Sequence, residues 1–451
     1  MSWPYTFPPL DGVGVSASGE LELAGHAASA LLARFGSPLV VMLEDTIRRN
    51  CREYRSRLAV YPHSRTFYAS KAFLTQGMCR LMRQEGFGLD VVSGGELYTA
   101  LSAAFPAGEI VMHGNAKGRD ELGLALEHNI GRVIVDNLDE IELLAELAAR
   151  RSAPVAVQLR VTPGVKPSTH QYVQTGQLDS KFGFNLTGGA ALAAAQRILE
   201  LPQLSLVGLH CHIGSQIFDG EPFRLAAQIM LDFYAELKTQ HGAPLGELNL
   251  GGGIGIRYQP ADSAPSVTDH VAELSRFILE RCQEHGVDPP VLCDEPGRSI
   301  VGEAGVTLYT VQSTKVIPEV RSYASVDGGM TDNPRFALYG ARHAVACANR
   351  LHEPHDAVWS VAGKCCETGD MLIKDTPLPA TVRRGDTLAF FSTGAYTYSM
   401  ASNYNRVGRP AVALVKPGAA ELLARRETPE DLVRLDLIPS WLEPESVQSD
   451  W

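Results

Sequence analysis

Between residues 65 and 293, short runs rich in Val, Ile, Leu and Phe alternate with longer helix-like stretches, and no other feature restricts the fold as much. The strand-like runs fall at 65–70, 88–92, 109–113, 132–136, 155–162, 205–212, 246–250 and 290–293. Helices are expected at 73–86, 94–104, 118–128, 137–151, 187–200, 219–240 and 267–286. Successive strands joined through helices pair in parallel, and eight such units over about 250 residues match a (β/α)8 TIM barrel. A doubly wound open sheet is the alternative that this pattern leaves open. The stretch Val161–Phe184, rich in Gly, Pro, Thr, Gln and Ser, is too long for an ordinary βα connection and reads as a lid or binding loop.

After Arg298 the rhythm stops. Val306–Ile317, Arg321–Ser325, Ala357–Ala362 and Thr387–Ser392 read as strands with few long helices between them. Gly12–Leu23 resembles a hairpin and Pro38–Glu44 a strand, so the opening segment is expected to join this β-rich part. The α/β chain thus divides into a barrel over 44–300 and a mainly β domain made of 1–43 plus 301–451. A net charge of -11 argues against nucleic acid or an anionic membrane as partner. Residues 1–19 lack a basic region followed by an apolar stretch, and no apolar run is long enough to span a bilayer. The eight cysteines form no disulfide framework, which with the other signs points to a reduced, cytoplasmic protein. Cys365 and Cys366 are adjacent and stand out.

Barrels keep their chemistry at the carboxyl ends of the strands. Read there, the runs give Lys71, then Asp90 with Ser93-Gly94-Gly95-Glu96, then His113-Gly114-Asn115 and Arg160. The later runs give His210-Cys211-His212-Ile213-Gly214-Ser215, then Gly251-Gly252-Gly253-Ile254-Gly255, then Asp294-Glu295-Pro296-Gly297-Arg298. A glycine run by itself is more often a plain tight turn than an anion cradle. With Ser215 before it and Arg298 after it, a phosphate site becomes the better reading. Lys71 by itself reads as a surface lysine. Beside a phosphate cradle and the acid Glu295 it suggests pyridoxal 5′-phosphate, held as a Schiff base on Lys71 with Glu295 at the pyridine nitrogen. A carboxylate there strengthens the ring as an electron sink, which suits loss of CO2. A zinc site from His210, Cys211, His212 and Cys365-Cys366 has no matching spacing, and strand alternation sends Cys211 away from its neighbours. No metal is expected. His212 reads better as a flat ring stacked on the cofactor.

These motifs, taken in order, resemble those of the pyridoxal-phosphate-dependent decarboxylases of the alanine-racemase fold type, and among them most closely the diaminopimelate decarboxylases. The resemblance runs from about Val13 to Ala413. It rests on Tyr68-Ala69-Ser70-Lys71-Ala72 and the strand-end motifs above, then Asp327-Gly328-Gly329-Met330 and Arg335-Phe336-Ala337-Leu338-Tyr339-Gly340. Gly363-Lys364-Cys365-Cys366-Glu367-Thr368-Gly369-Asp370, Gly394-Ala395-Tyr396 and Ser399–Asn405 complete it.

The resemblance implies decarboxylation of meso-2,6-diaminopimelate to L-lysine, the last step of lysine biosynthesis, by a homodimer with shared active sites. It implies catalytic roles for Lys71 and for Cys366, a proton donor reaching in from the second subunit. Asp90, His212, Ser215, Gly252, Gly253, Glu295, Gly297, Arg298 and Tyr396 would bind cofactor. Arg298, Arg335, Tyr339, Glu367 and Tyr396 would bind substrate, with Arg298, Arg335 and Tyr339 on the distal carboxylate and Glu367 on the distal amine. Decarboxylases of ornithine, lysine, arginine or carboxynorspermidine share this fold and are the alternatives, but for simple diamine-forming substrates they need only an acid at the far end. An inactive cofactor-binding or regulatory homologue would be expected to lack Lys71 or Cys366, and both are present. Thr368 stands where the family usually has Ser, and Phe336 where it usually has Pro.

Overall fold

The computed structural model describes residues 10–165 and 180–442. The chain enters through β1 (Val13–Val15), β2 (Leu21–Leu23) and β3 (His26–Ala27), a small antiparallel sheet that contains the expected hairpin. Helix α1 (Ala28–Phe35), strand β4 (Leu39–Leu43) and helix α2 (Glu44–Arg55) follow. Both helices escape sequence reading. In α2 the inward positions Ile47, Cys51 and Tyr54 are outnumbered by charged residues, so the apolar stripe is thin.

The barrel comes next. Its strands are β5 (Ser64–Ala69), β6 (Gly88–Val91), β7 (Ile110–Met112), β8 (Arg132–Val135) and β9 (Val155–Thr162). After β10 (Phe184–Asn185), which only adds to the edge of β9, come β11 (Leu204–His210), β12 (Glu247–Asn249) and β13 (Val291–Asp294). Apart from β10 these are the eight expected strands, all parallel. The ring closes where β13 pairs β5 and β8 pairs β9, which removes the open-sheet alternative. Strands β6, β7 and β12 are buried at every position, as strands covered by helices outside and filled by side chains inside must be.

The covering helices are α3 (Gln76–Gln84), α4 (Gly94–Ser102), α5 (Arg119–Glu127), α6 (Leu138–Ala148), α7 (Ala190–Leu199), α8 (Glu221–His241) and α9 (Val267–His285). Each lies within, or one residue beyond, a stretch expected from sequence. Thr75, Ser93, Asn137 and Ser266 cap four of them by accepting a backbone N–H of the first turn. Each such cap is worth roughly 1 kcal/mol and fixes where the strand-end loop turns into helix. The long connection Val161–Phe184, expected to form a lid, falls largely on 166–179, outside the described residues.

The short helix α10 (Arg298–Val301) leads into β14 (Gly305–Ile317) and β15 (Arg321–Val326), and α11 (Arg335–Tyr339) into β16 (Val345–Cys347), β17 (Ala357–Ala362) and β18 (Met371–Leu378). Strands β19 (Thr387–Phe391), β20 (Ala411–Lys416) and β21 (Ala419–Ala424) follow. The sheet order is β18-β17-β15-β14-β4-β20-β21, with β19 paired to β14 and β16. β14 is its hub: one half pairs β4 and β19, the other half β15. Along β4, Leu39, Val41 and Leu43 enter the core of this sheet while Val40 and Met42 join the barrel core. Alternate side chains of one strand thereby bond the two parts. Strands β16, β18, β20 and β21 were not expected. Pro377 and the exposed pair Lys374-Asp375 interrupt β18, and alanine dilutes the pattern of β20 and β21. Among the described residues no helix is long and apolar enough to cross a membrane.

Gly394 lies where the end of α10 meets the start of β14, and a Cβ there would overlap the carbonyl oxygen of Val301. Gly123, inside α5, has open space around it. We expect Gly394→Ala to lower the urea unfolding midpoint, at a cost of about 1–3 kcal/mol. Gly123→Ala should raise it by about 0.5–1 kcal/mol. Equal effects of the two changes would contradict the packing described.

Candidate functional site

The carboxyl ends of the barrel strands converge on one carboxylate. Glu295, one residue past β13, is buried, and its Oε1 accepts from Nε2 of His113 at 2.7 Å and from Nδ2 of Asn249 at 2.6 Å. Its Oε2 accepts from Nε2 of His210 at 3.1 Å. Burial alone would raise the pKa of Glu295, but His113 and His210 outweigh it and hold the group well below the usual carboxylate range. Burial pushes His210 down to about 4 despite Glu295, so its imidazole donates as a neutral ring. A carboxylate offers about four lone-pair sites. Three are taken, and one on Oε2 is left.

Lys71 sits in the single turn Ser70–Ala72 after β5, with Nζ 3.6 Å from Oδ2 of Asp90. Asp90 is fully buried, neither carboxylate oxygen has a hydrogen-bond partner among the described residues, and Nε2 of His113 lies 3.7 Å from its Oδ1. Burial pulls the Lys71 ammonium down, and Asp90, Tyr396 and Glu295 together more than reverse it, so the net direction is up. His212 accepts the Gly252 N–H on Nδ1 at 3.3 Å, which leaves its proton on Nε2. Burial, then Lys71, drives His212 well below its ordinary value and keeps the ring neutral.

The glycine loop is tight for a reason beyond turning. A Cβ on Gly252 would overlap the Glu295 carbonyl oxygen, and one on Gly253, whose φ is +126°, the Gly214 carbonyl. Three strand-end loops can meet here only as bare backbone. Beside them Ser215 Oγ lies 3.1 Å from both Nε and Nη2 of Arg298. The Arg298 guanidinium also bonds the Tyr258 hydroxyl and lies 4.7 Å from the Tyr396 ring centre. Tyr396 holds φ at +58°, unusual for a side chain with a Cβ, and its N–H is fixed on the Ala72 carbonyl at 2.9 Å. Lys71, His212, Ser215, Gly253, Gly297, Arg298 and Tyr396 frame a narrow cleft of about 20 Å³ here.

The cleft adjoins a cavity of about 420 Å³ lined by Lys71, His113, Arg160, His212, Ser215, Glu295, Arg298, Arg335, Tyr339 and Tyr396 among others. Arg335, first residue of α11, is buried, and its Nε has no hydrogen-bond partner. Tyr339 lies 5.4 Å, Tyr258 5.8 Å and Tyr396 5.9 Å from its guanidinium. Burial lowers the pKa of Arg335. Among the described residues no acid pairs with Arg298 or Arg335, whereas Arg160 has Asp136 at 3.5 Å and Lys117 has Glu140 at 2.8 Å. Buried cations without counter-charges are costly unless a ligand supplies the anion.

Lys71, Asp90, His212, Ser215, Gly252, Gly253, Glu295, Gly297, Arg298, Arg335, Tyr339 and Tyr396 are thus together. Cys366 and Glu367 are not. They are exposed on the turn between β17 and β18, with the Cys366 N–H on Oδ1 of Asn405 at 2.8 Å, and neither lines the cavity. Cys365 beside them is buried, its thiol pushed up to about 11 by burial and by Asp370. His113, His210 and Glu295 bring donor atoms within 4.8 Å of one another, the only such group among the described residues, and they are already hydrogen-bonded to each other. The cysteines weighed for zinc are not part of it. Sequence reading passed over the roles of His113 and Asn249, although both sit at strand ends where polar residues are the signal. Tyr258, in an irregular loop, carried none.

A family model described as "Pyridoxal-dependent decarboxylase, pyridoxal binding domain" matches residues 44–302. The chain is 49% identical over 420 residues to the diaminopimelate decarboxylase of Bacillus subtilis (strain 168), covering 93% of this chain and 95% of the relative. Identity to that of Halalkalibacterium halodurans is 46% over 424 residues, covering 94% and 96%. A crystal structure of diaminopimelate decarboxylase from M. jannaschii in complex with L-lysine superposes with a TM-score of 0.88 at 36% identity, over 96% of this chain and 99% of that one.

Two buried histidines behind this cavity make stability depend on pH. His210 is lowered to about 4, and His343, against Tyr258, to about 3, both chiefly by burial. Unfolded, each takes up a proton near pH 6.5. Between about pH 6.5 and these folded values the unfolded chain binds more protons, so stability falls as pH falls. We expect the urea midpoint to drop from pH 7 to pH 4, and His343→Gln to flatten the drop. A flat wild-type profile over that range would show that these rings are not buried as neutral bases.

Proposed function

The chain belongs to the diaminopimelate decarboxylases, pyridoxal-dependent carboxy-lyases, and on that premise we propose what each residue of the cavity does. The reaction is loss of CO2 from meso-2,6-diaminopimelate to leave L-lysine, with pyridoxal 5′-phosphate as cofactor. The residues fit that cofactor. One acceptor position on Glu295 remains for a ring N–H, a neutral imidazole offers a flat face, and a glycine cradle lies beside an arginine that no acid pairs among the described residues. Bound there, the cofactor supplies an electron sink for the pair left on the α-carbon as CO2 leaves.

Lys71 Nζ is the amine that carries the cofactor, and Asp90 holds it in place. Glu295, kept ionised by His113, His210 and Asn249, holds a proton on the pyridine nitrogen. Ser215, Arg298, Gly252, Gly253, Gly297 and Tyr396 bind the phosphate. His212 packs on the ring. At the far end of the cavity Arg335, with Arg298 and Tyr339, takes the distal carboxylate, a planar anion suited to a guanidinium. The observation that carries this assignment is the buried Arg335 guanidinium, which has no acid partner among the described residues and whose Nε lacks a hydrogen bond. A site for ornithine has no anion to offer it.

Cys366 and Glu367 act in the cavity of a second subunit, Cys366 giving its thiol proton to the α-carbon and Glu367 binding the distal ammonium. Their exposure, away from the cavity of their own chain, supports a homodimer with shared sites. We place the domain boundaries at 44 and 301, close to the 44–302 of the family match. Eight free cysteines support a cytoplasmic location, and the charge of -11 supports a small molecule rather than nucleic acid as partner.

Holoenzyme offered diaminopimelate, ornithine, lysine and arginine separately should form lysine from diaminopimelate; preferential diamine formation from ornithine would overturn the substrate assignment. Arg335→Ala should raise KM for diaminopimelate roughly 10- to 100-fold, the worth of hydrogen bonds to a charged group. An unchanged KM would remove Arg335 from the distal carboxylate. Lys71→Ala and Cys366→Ala should each be inactive, yet regain roughly a quarter of wild-type activity when equal amounts are mixed and subunits exchange, because each hybrid dimer has one intact site. Without recovery, the shared site is wrong.

A further inference from the structure

Cys366 is held in place by a carboxylate that does not touch the cavity. Residues 363–370 form the turn between β17 and β18, with Cys366 exposed at its tip. Asp370, the last residue before β18, is 3% exposed and points back into the turn. Its Oδ2 accepts the Cys365 N–H at 2.7 Å, one peptide from Cys366. Its Oδ1 accepts the Met330 N–H at 2.6 Å, from the turn that precedes α11. The chain has made room for this acid: a Cβ on Gly363 would overlap the carboxylate, and one on Gly329 would lie 2.6 Å from both its oxygens.

The turn reached through Met330 is itself fixed. The Gly329 carbonyl accepts the N–H of Asp332 at 3.1 Å and of Asn333 at 2.9 Å, and Oδ1 of Asp332 accepts the Gly329 N–H at 2.9 Å. The Asp332 carboxylate also bonds the Tyr309 hydroxyl, rooting the turn in β14. One buried acid therefore ties an exposed tip to a rigid base. Two other tethers hold the turn: the Lys364 N–H on the Gly328 carbonyl at 2.9 Å, before the tip, and the Cys366 N–H on Asn405, at the surface.

We infer that Asp370 is a positioning residue for proton delivery, fixing Cys366 and Glu367 for the cavity of the partner subunit through the backbone N–H groups of Cys365 and Met330. This rests on the shared-site reading above. Without the carboxylate, the buried Cys365 N–H and the half-buried Met330 N–H lose their acceptor, and the tip keeps only the bonds of Lys364 and Cys366 to shift against. A displacement of about 1 Å in a reacting group costs on the order of 100-fold in rate. Asp370→Ala holoenzyme should accordingly bind cofactor normally by its absorbance and lose at least about ten-fold in kcat. Asp370→Asn keeps one acceptor and should lose less.

Complementation decides between this and a plain structural role. Asp370→Ala subunits are exchanged with Lys71→Ala subunits, and separately with Cys366→Ala subunits; Lys71→Ala with Cys366→Ala is the control. If Asp370 acts on the tip, the first pairing recovers activity, because one cavity combines an intact Lys71 with an undisturbed Cys366 tip. The second does not. If the damage instead runs through Met330 to Arg335 of the same chain, the second pairing recovers and the first does not, and the inference is overturned. Recovery in both pairings or in neither, with the control positive, overturns it equally. A negative control overturns the shared site and the inference with it. Gly363→Ala leaves Asp370 in place but pushes its carboxylate aside; it should give the same pattern, and it decides the matter where Asp370→Ala fails to fold.

Discussion

Everything at the mouth of the barrel depends on one buried carboxylate. In the ring, β11, β12 and β13 are neighbours, while β7 stands three strands away on either side. Glu295 takes hydrogen bonds from both, so it spans the mouth from one wall to the other. An ionised group there is tolerable only with its partners in place, since leaving a buried charge uncompensated costs about 3–5 kcal/mol. Folding and chemistry share the constraint. The strands must close in this register for Glu295 to be satisfied, and once satisfied it keeps one acceptor position open on Oε2 in the cavity wall.

The other charges sort by whether the fold has answered them. Lys117 with Glu140, and Arg160 in the cavity wall with Asp136, are buried pairs that have their counter-charge without a ligand. Arg298 and Arg335 meet hydroxyls and aromatic rings instead of acids, and both Asp90 oxygens have Lys71 and His113 nearby but no hydrogen bond. On a chain with net charge -11, two cations in one cavity that no acid answers among the described residues are a local reversal of sign. Their field is set before the ligand arrives, so binding needs no costly reorganisation.

How far the sequence revealed this follows from the same physics. Parallel strands buried on both faces show as apolar runs, and polar or glycine residues gather just past them, so Lys71, His212, Glu295 and Arg298 could be read from position alone. The β-rich part hid more. β4 pairs in parallel with β20, from opposite ends of the chain, and no local pattern announces such a partner. The partners of Glu295 were equally hidden: His113, Asn249 and His210 are ordinary polar residues until three turns of chain bring them to one acid. Asp370 was visible as part of a motif, but its two backbone hydrogen bonds were not.

The placement of β14 explains why the cavity is lined from two different parts of one chain. The strand leaves the barrel directly after Arg298 and α10, pairs with β4 and β19, and then runs on to pair with β15. The return from β15 delivers α11, and with it Arg335, back over the mouth that β13 and Glu295 define. A change in α11 can therefore alter what the far end of the cavity accepts without disturbing the barrel residues beneath. Phe336, half-buried next to Arg335, stands at such a position. β4 and β20 clamp the sheet to the barrel from the other side through Val40, Met42 and Val412, so the two halves of the cavity keep a fixed distance. A substrate with charged groups at both ends is measured against that distance, which a flexible joint between the two parts could not hold.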